Sequence, residues 1–217
     1  MEVIRTIIDF ILHIDIHLVE IVSDYQAWTY LIIFLIIFTE TGFVVTPFLP
    51  GDSLLFAVGA LIAKGSTGLD ILVMGLLLCV AAIVGNTVNY FLGGYFGPRV
   101  FKPENKILKL DYYLQTQEFF VKHGGKAIVF SRFLPIFRTI APFVAGVGGM
   151  AFARFSFFNI TGGVLWIASF LGLGFMFGNI PIFKDNFTYV IVAISVLTFL
   201  PAIYAATIGK FGKKKIV

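Results

Sequence analysis

Between Ile71 and Phe96 the chain runs through ILVMGLLLCVAAIVGNTVNYFLGGYF without one charged side chain. A helix of that length, at about 1.5 Å per residue, outreaches the roughly 30 Å hydrocarbon core of a bilayer. The segment is therefore predicted to cross a membrane, even though Asn86 and Asn89 sit in its second half. The rest of the chain points the same way. Of 217 residues, 59% are hydrophobic and 13% charged, whereas soluble domains run to about 25% charged. With a mean hydropathy of +0.96, too little polar surface is left to cover a water-soluble enzyme, and disorder is excluded because it requires low hydrophobicity. The net charge of +4 is carried largely beside apolar spans, so the basic residues read as orientation signals and no nucleic-acid partner is expected. Cys79 lies within the apolar run and reads as a small buried hydrophobe. No cleavable signal peptide is expected, because Glu2, Asp9, Asp15, Glu20 and Asp24 outnumber Arg5 at the start.

The other apolar segments are shorter and broken. Residues 1–26 space Glu2, Arg5, Asp9, His13, His17, Glu20 and Asp24 at steps of three or four, which predicts an amphipathic interfacial helix. His13 and His17 lie one turn apart on its polar face, with no third ligand spaced to complete a metal site. Residues 27–38 form an apolar stretch too short to cross. It is followed by Glu40, Gly42, Pro47, Pro50, Gly51 and Asp52, and then by a second short apolar run, 54–63. A re-entrant hairpin over 27–63 is expected. Residues 98–126 are polar and basic and predict a second interfacial helix. The hairpin pattern returns over 127–150, with Arg132, Pro135, Arg138 and Pro142 inside it. Spans are expected at 157–177 and 187–208, ahead of a basic tail, 209–217.

One full crossing separates the two hairpins, so they must enter from opposite faces, which is the inverted-repeat plan of transporters. Pro47, Phe48 and Gly51 recur in spacing as Pro142, Phe143 and Gly146. The fold class expected is an all-α integral membrane protein with two opposed re-entrant helical hairpins and about three full transmembrane helices. Charge orients it. Arg99, Lys102, Lys106, Lys109, Lys122, Lys126, Arg154 and the tail lysines Lys210, Lys213, Lys214 and Lys215 share one side, against Arg5, Lys64 and Lys184 on the other. The positive-inside rule then puts the N-terminus outside and the C-terminus in the cytoplasm.

Four ionisable residues fall at membrane depth: Glu40 and Asp52 in the first hairpin, Arg132 and Arg138 in the second. Each costs roughly 2.5–3.5 kcal/mol to insert, so intramembrane charge is a functional-site hypothesis by default. Mutual neutralisation as salt bridges is the structural reading. The functional reading is an anion site in which Arg132 and Arg138 grip phosphate, whose oxygens match the guanidinium fork. The hairpin breaks at Pro47, Pro50, Gly51, Pro135 and Pro142 would open a cavity, and half-helix N-termini there would add backbone donors. Glu40 and Asp52 would couple transport to protons, because low dielectric and an arriving arginine pull a carboxylate's protonation in opposite directions.

The segments FSRFLPIFRTIAPFVAG (130–146) and FLPGDSLLF (48–56), downstream of Glu40, resemble the DedA family, also called the VTT or SNARE-associated domain family. The resemblance extends over roughly 28–205. It implies a bacterial inner-membrane protein with opposed hairpins that moves lipids between leaflets, notably undecaprenyl phosphate, and depends on proton motive force. By position the family's acids are Glu40 and Asp52 and its arginines Arg132 and Arg138. Many relatives carry Gly-Asp where this chain has Gly85-Asn86, and an amide cannot carry a proton. Asn86 and Asn89 are candidates for polar contact with substrate, although an amide bonded to a neighbouring helix is the simpler reading of Asn86.

No Walker loop, H-E-x-x-H or G-x-S-x-G is present, so no enzyme activity, cofactor or metal is expected. The expected function is a proton-coupled flippase for a lipid phosphate. The alternatives are an ion or small-anion transporter driven by proton motive force, and a flippase or scramblase for phosphatidylethanolamine. The partners are thus a membrane lipid, polyprenyl phosphate or phospholipid, and protons; oligomerisation is left open.

Overall fold

The computed structural model describes residues 28–43, 51–65, 67–100, 124–180 and 193. The N-terminal amphipathic helix, most of the 98–126 segment, Pro47 and Pro50, the 187–208 span and the basic tail lie outside the described residues, save position 193. All regular structure described is helical: α1 Trp28–Gly42, α2 Gly51–Ala63, α3 Ile71–Val100, α4 Lys126–Ser131, α5 Pro135–Val147 and α6 Phe152–Phe177. Two compact units divide them. One contains α1, α3, α4, α5 and α6 up to residue 169; the other contains α2 and α6 from residue 170.

α3 and α6 are long and apolar enough to cross a membrane, over Ile71–Phe96 and Phe152–Phe177, and each buries only 33% of its most apolar window. Their remaining faces expose Leu72, Leu76 and Val80, or Phe157, Val164 and Leu165. Such a surface is stable against lipid and not against water. α6 starts five residues before the expected span, since Phe152–Ser156 contains no helix breaker.

In the first unit α3 is the central element, flanked by α1 and α5. Small residues set how closely the helices approach. A methyl at Gly85 would collide with the Thr41 hydroxyl and lie 2.9 Å from the Phe38 carbonyl. A methyl at Gly146 would collide with the Tyr90 carbonyl and lie 2.9 Å from the Gly94 nitrogen. Ile128, Ala141, Ala145 and Phe155 form the core where α4, α5 and α6 meet, and Tyr90 stacks on Phe155 with ring centroids 4.3 Å apart. In the second unit, α2 is buried along nearly its whole length. Gly174 packs against the Phe56 carbonyl, while Gly59 lies on the backbone of Leu171 and Phe175.

Two expected breaks fall elsewhere. α1 continues through Glu40 to Gly42, because nothing at 39–42 stops a helix and the hydroxyls of Thr39 and Thr41 bond back to the carbonyls of Leu35 and Ile37 at 2.6 and 2.8 Å. The expected half-helix over 127–137 is divided. Arg132, Phe133 and Leu134 donate to Val129, Phe130 and Ser131 in a tightened turn, and Leu134 is extended, with φ −120° and ψ 109°, as the residue before a proline prefers. Pro135 then opens α5. Pro142, expected to be a break, lies inside α5. Only one helical hydrogen bond is lost there, and neighbouring helices can satisfy freed backbone groups within a membrane protein.

Candidate functional site

The first unit buries Glu40, Asn86, Asn89, Arg132, Arg138 and Asn159, each no more than 3% exposed. Glu40 is on the last turn of α1, on the stripe formed by Ile33 and Ile37 that faces inward. Arg138 is on the first turn of α5. Its Nη2 donates to Glu40 Oε1 in a buried ion pair, and its guanidinium carbon stands 5.2 Å from the centre of the Trp166 ring on α6. Both arrangements favour the cation where water cannot.

Asn89 of α3 organises this pair from behind. Its amide nitrogen donates to the Thr139 carbonyl at 2.7 Å and to the Thr41 carbonyl at 3.4 Å. These are the residues that directly follow Arg138 and Glu40, so one amide ties together the two backbones that carry the ion pair. Asn89 therefore bonds to the backbones of both neighbouring helices, α1 and α5. Asn86, one turn earlier, is 1% exposed, and its amide oxygen has no partner among the described residues.

Arg132 occupies the tightened turn between α4 and α5. Its Nη2 donates to Asn159 Oδ1 at 2.5 Å and to the carbonyls of Ala82 and Asn159 at 3.3 Å each. Of the sequence-predicted site, the structure thus gathers Glu40, Asn89, Arg132 and Arg138 in one unit. Asp52 is buried in the first turn of α2, in the other unit, where a carboxylate suits the helix N-terminus. Gly51 is the first residue of that helix. No cluster of three or more metal-ligating His, Cys, Asp or Glu side chains occurs among the described residues.

Sequence reasoning missed Asn159 and Trp166. Asn159 is buried at the Arg132 guanidinium, and its signal was available: an amide inside an apolar span must find a partner. Trp166 had no such signal, since an aromatic residue in a membrane helix is ordinary.

The VTT domain family matches residues 49–176, which includes Asp52, Arg132 and Arg138. The chain belongs to the DedA family. It is 50% identical over 204 residues to Protein DedA of Escherichia coli K12, covering 94% of this chain and 93% of that protein. It is 41% identical over 155 residues to the inner membrane protein YqjA of the same strain, covering 71% and 70%. An uncharacterized membrane protein of Mycobacterium leprae is 39% identical over 175 residues, 80% of this chain and 78% of that one. No solved structure matches significantly. This DedA-family chain is a membrane protein with two helices of crossing length, and Glu40, Asp52, Arg132 and Arg138 are buried within it.

Proposed function

We propose that this protein is a transporter that moves a lipid phosphate between bilayer leaflets and uses protons to drive it. The observation that carries the reading is the buried Glu40–Arg138 pair with a second buried arginine, Arg132, in the same unit. Two guanidiniums and one carboxylate leave an excess positive charge in that unit, at a depth where charge is costly. A phosphate would neutralise it and match the geometry of the guanidinium. In this reading the acyl or prenyl chains remain in the bilayer while the headgroup passes the arginines. Undecaprenyl phosphate is the lipid that the family resemblance suggests. The chain does no covalent chemistry on its cargo. The short helices α1, α2, α4 and α5 support the two opposed re-entrant hairpins, and the similarity to the inner membrane protein YqjA supports the bacterial inner membrane as the location.

The decisive assay reconstitutes the full chain in proteoliposomes and compares labelled polyprenyl phosphate with phosphatidylethanolamine and small anions. Translocation of the polyprenyl phosphate alone supports the proposal; movement of a small anion alone would replace it with an ion transporter. Proton coupling is tested in the same vesicles. Glu40→Gln and Asp52→Asn, near-isosteric and permanently neutral, are expected to bind the lipid but to lose acceleration by an imposed pH gradient. If both remain gradient-driven, the acids are counter-ions only.

Orientation is a separate expectation. In a Cys79→Ala background, Thr67→Cys is expected to react with an impermeant thiol reagent from outside and Asn105→Cys only from the cytoplasm. Labelling of both from one face would rule out the inverted arrangement.

A further inference from the structure

Arg132 and Arg138 are not equivalent. Arg138 has the Glu40 carboxylate and the Trp166 ring. Every hydrogen bond recorded for Arg132 leaves from one nitrogen, Nη2, and ends on a neutral acceptor. No carboxylate pairs with it among the described residues, and its buried Nε has no hydrogen-bond partner there.

Asn159 is itself held from behind. Its Nδ2 donates to the Ile83 carbonyl at 3.0 Å and to the Thr87 hydroxyl at 3.2 Å, and that hydroxyl donates in turn to Ile83 at 2.7 Å. With its NH2 end committed to two acceptors, the amide oxygen is committed to the guanidinium. Gly162 and Gly163, the next turn of α6, offer bare backbone beside it. A methyl at 162 would stand 3.1 Å from Arg132 Cδ and 3.3 Å from Nε, and one at 163 would stand 3.4 Å from Nη2.

Nη2 has two hydrogens for three acceptors. The short bond to Asn159 Oδ1 holds one of them, and the other is shared loosely between two carbonyls at 3.3 Å. We propose that Asn159 is a positioning residue that orients Arg132, so that the Nε hydrogen and the loosely held Nη2 hydrogen form a side-on fork for a phosphate oxyanion. The inference rests on the reading of Arg132 as a phosphate-binding residue and deepens it. An anion reaching Arg138 must compete with Glu40, whereas at Arg132 it displaces only a weak bond to a neutral carbonyl. Arg132 is therefore the first seat of the phosphate, and Asn159 sets its geometry. Glycine at 162 and 163 places no side chain against Nε or Nη2.

The test uses the purified full chain in detergent with 15Nε-labelled arginine. The sequence has five arginines, Arg5, Arg99, Arg132, Arg138 and Arg154, and the Arg132 signal is identified by its loss in Arg132→Lys. Farnesyl phosphate and inorganic phosphate are the two probes. Farnesyl phosphate is expected to shift the Arg132 Nε–H signal before that of Arg138, and a shift with inorganic phosphate alone would reassign the seat to free phosphate and overturn the lipid reading. Asn159→Ala is expected to move the signal before any probe is added and to weaken binding roughly tenfold, the worth of one charge-assisted hydrogen bond. Asn159→Asp supplies a counter-charge and is expected to abolish the response. Gly162→Ala leaves Asn159 intact and is expected to weaken binding by crowding Nε, which keeps the test open if an Asn159 variant does not fold. Unchanged binding in folded Asn159→Ala and Asn159→Asp would overturn the positioning role while leaving the phosphate reading standing. A wild-type chain that answers neither probe would overturn the phosphate reading itself.

Discussion

Glu40→Leu is expected to leave little folded protein. Unlike glutamine, leucine removes both the charge and the oxygen that accepts from Arg138 in a nearly water-free interior, and breaking a buried pair on one side in this way costs about 3–5 kcal/mol, because the other charge loses counter-charge and acceptor together. For a chain of this size such a loss lowers the midpoint of thermal unfolding by roughly 6–20 °C, which is read from the temperature at which the detergent-solubilised protein leaves its monodisperse peak. The double variant Glu40→Leu with Arg138→Met is expected to recover most of that loss, since an apolar pair of similar volume fills the site without any charge to compensate. It is also expected to be inactive in transport. Those two results together would separate stability from function at this pair, since an apolar interior would serve the fold about as well. A Glu40→Leu variant as heat-stable as the wild type would show that the pair is exposed to water or paired elsewhere.

Replacing Arg132 and Arg138 together with lysine is expected to reduce phosphate-lipid transport by roughly 10- to 100-fold, equivalent to about 1.5–3 kcal/mol, with a smaller effect on the amount of folded protein. Lysine keeps each positive charge but is a compact point charge on a flexible stem, and it cannot hold two oxygens in one plane. At position 132 it also loses the arrangement in which one nitrogen meets Ala82 and both oxygens of Asn159. At position 138 it loses the flat cation over Trp166. Initial rates in proteoliposomes, normalised to the protein recovered, measure the effect. Wild-type rates in the double lysine variant would reduce the arginines to point charges.

Much of the architecture is legible from composition and apolar length alone. Ile71–Phe96 is an expected span in the sequence and an unbroken apolar helix of crossing length in the structure, because an uncharged run of that length has one stable environment. The four costly charges were equally legible, since a charge inside an apolar stretch stands out without any knowledge of its neighbours. Break positions were less so. Pro142 reads as a helix end by local rules and lies inside α5, while the division of 127–137 comes at the turn before Pro135, where the restriction falls on the residue preceding a proline.

What the sequence could not contain is partnership. Glu40 and Arg138 are 98 positions apart, and Arg132 and Asn159 are 27 apart. Spacing along one helix predicts which residues share a face, but not which face of another helix will meet it. That choice is made by close packing. Gly85 admits α1 at Thr41, and Gly146 and Gly94 let α3 and α5 approach backbone to backbone. Only once those contacts are made does the Asn89 amide reach the carbonyls beside both Glu40 and Arg138. The sequence by itself determined that charge would be buried in a membrane. The tertiary structure decided that Glu40 would face Arg138 and that Arg132 would be left to neutral acceptors, because hydrogen bonds and ion pairs reach only about 3 Å and helix packing alone brings distant residues that close.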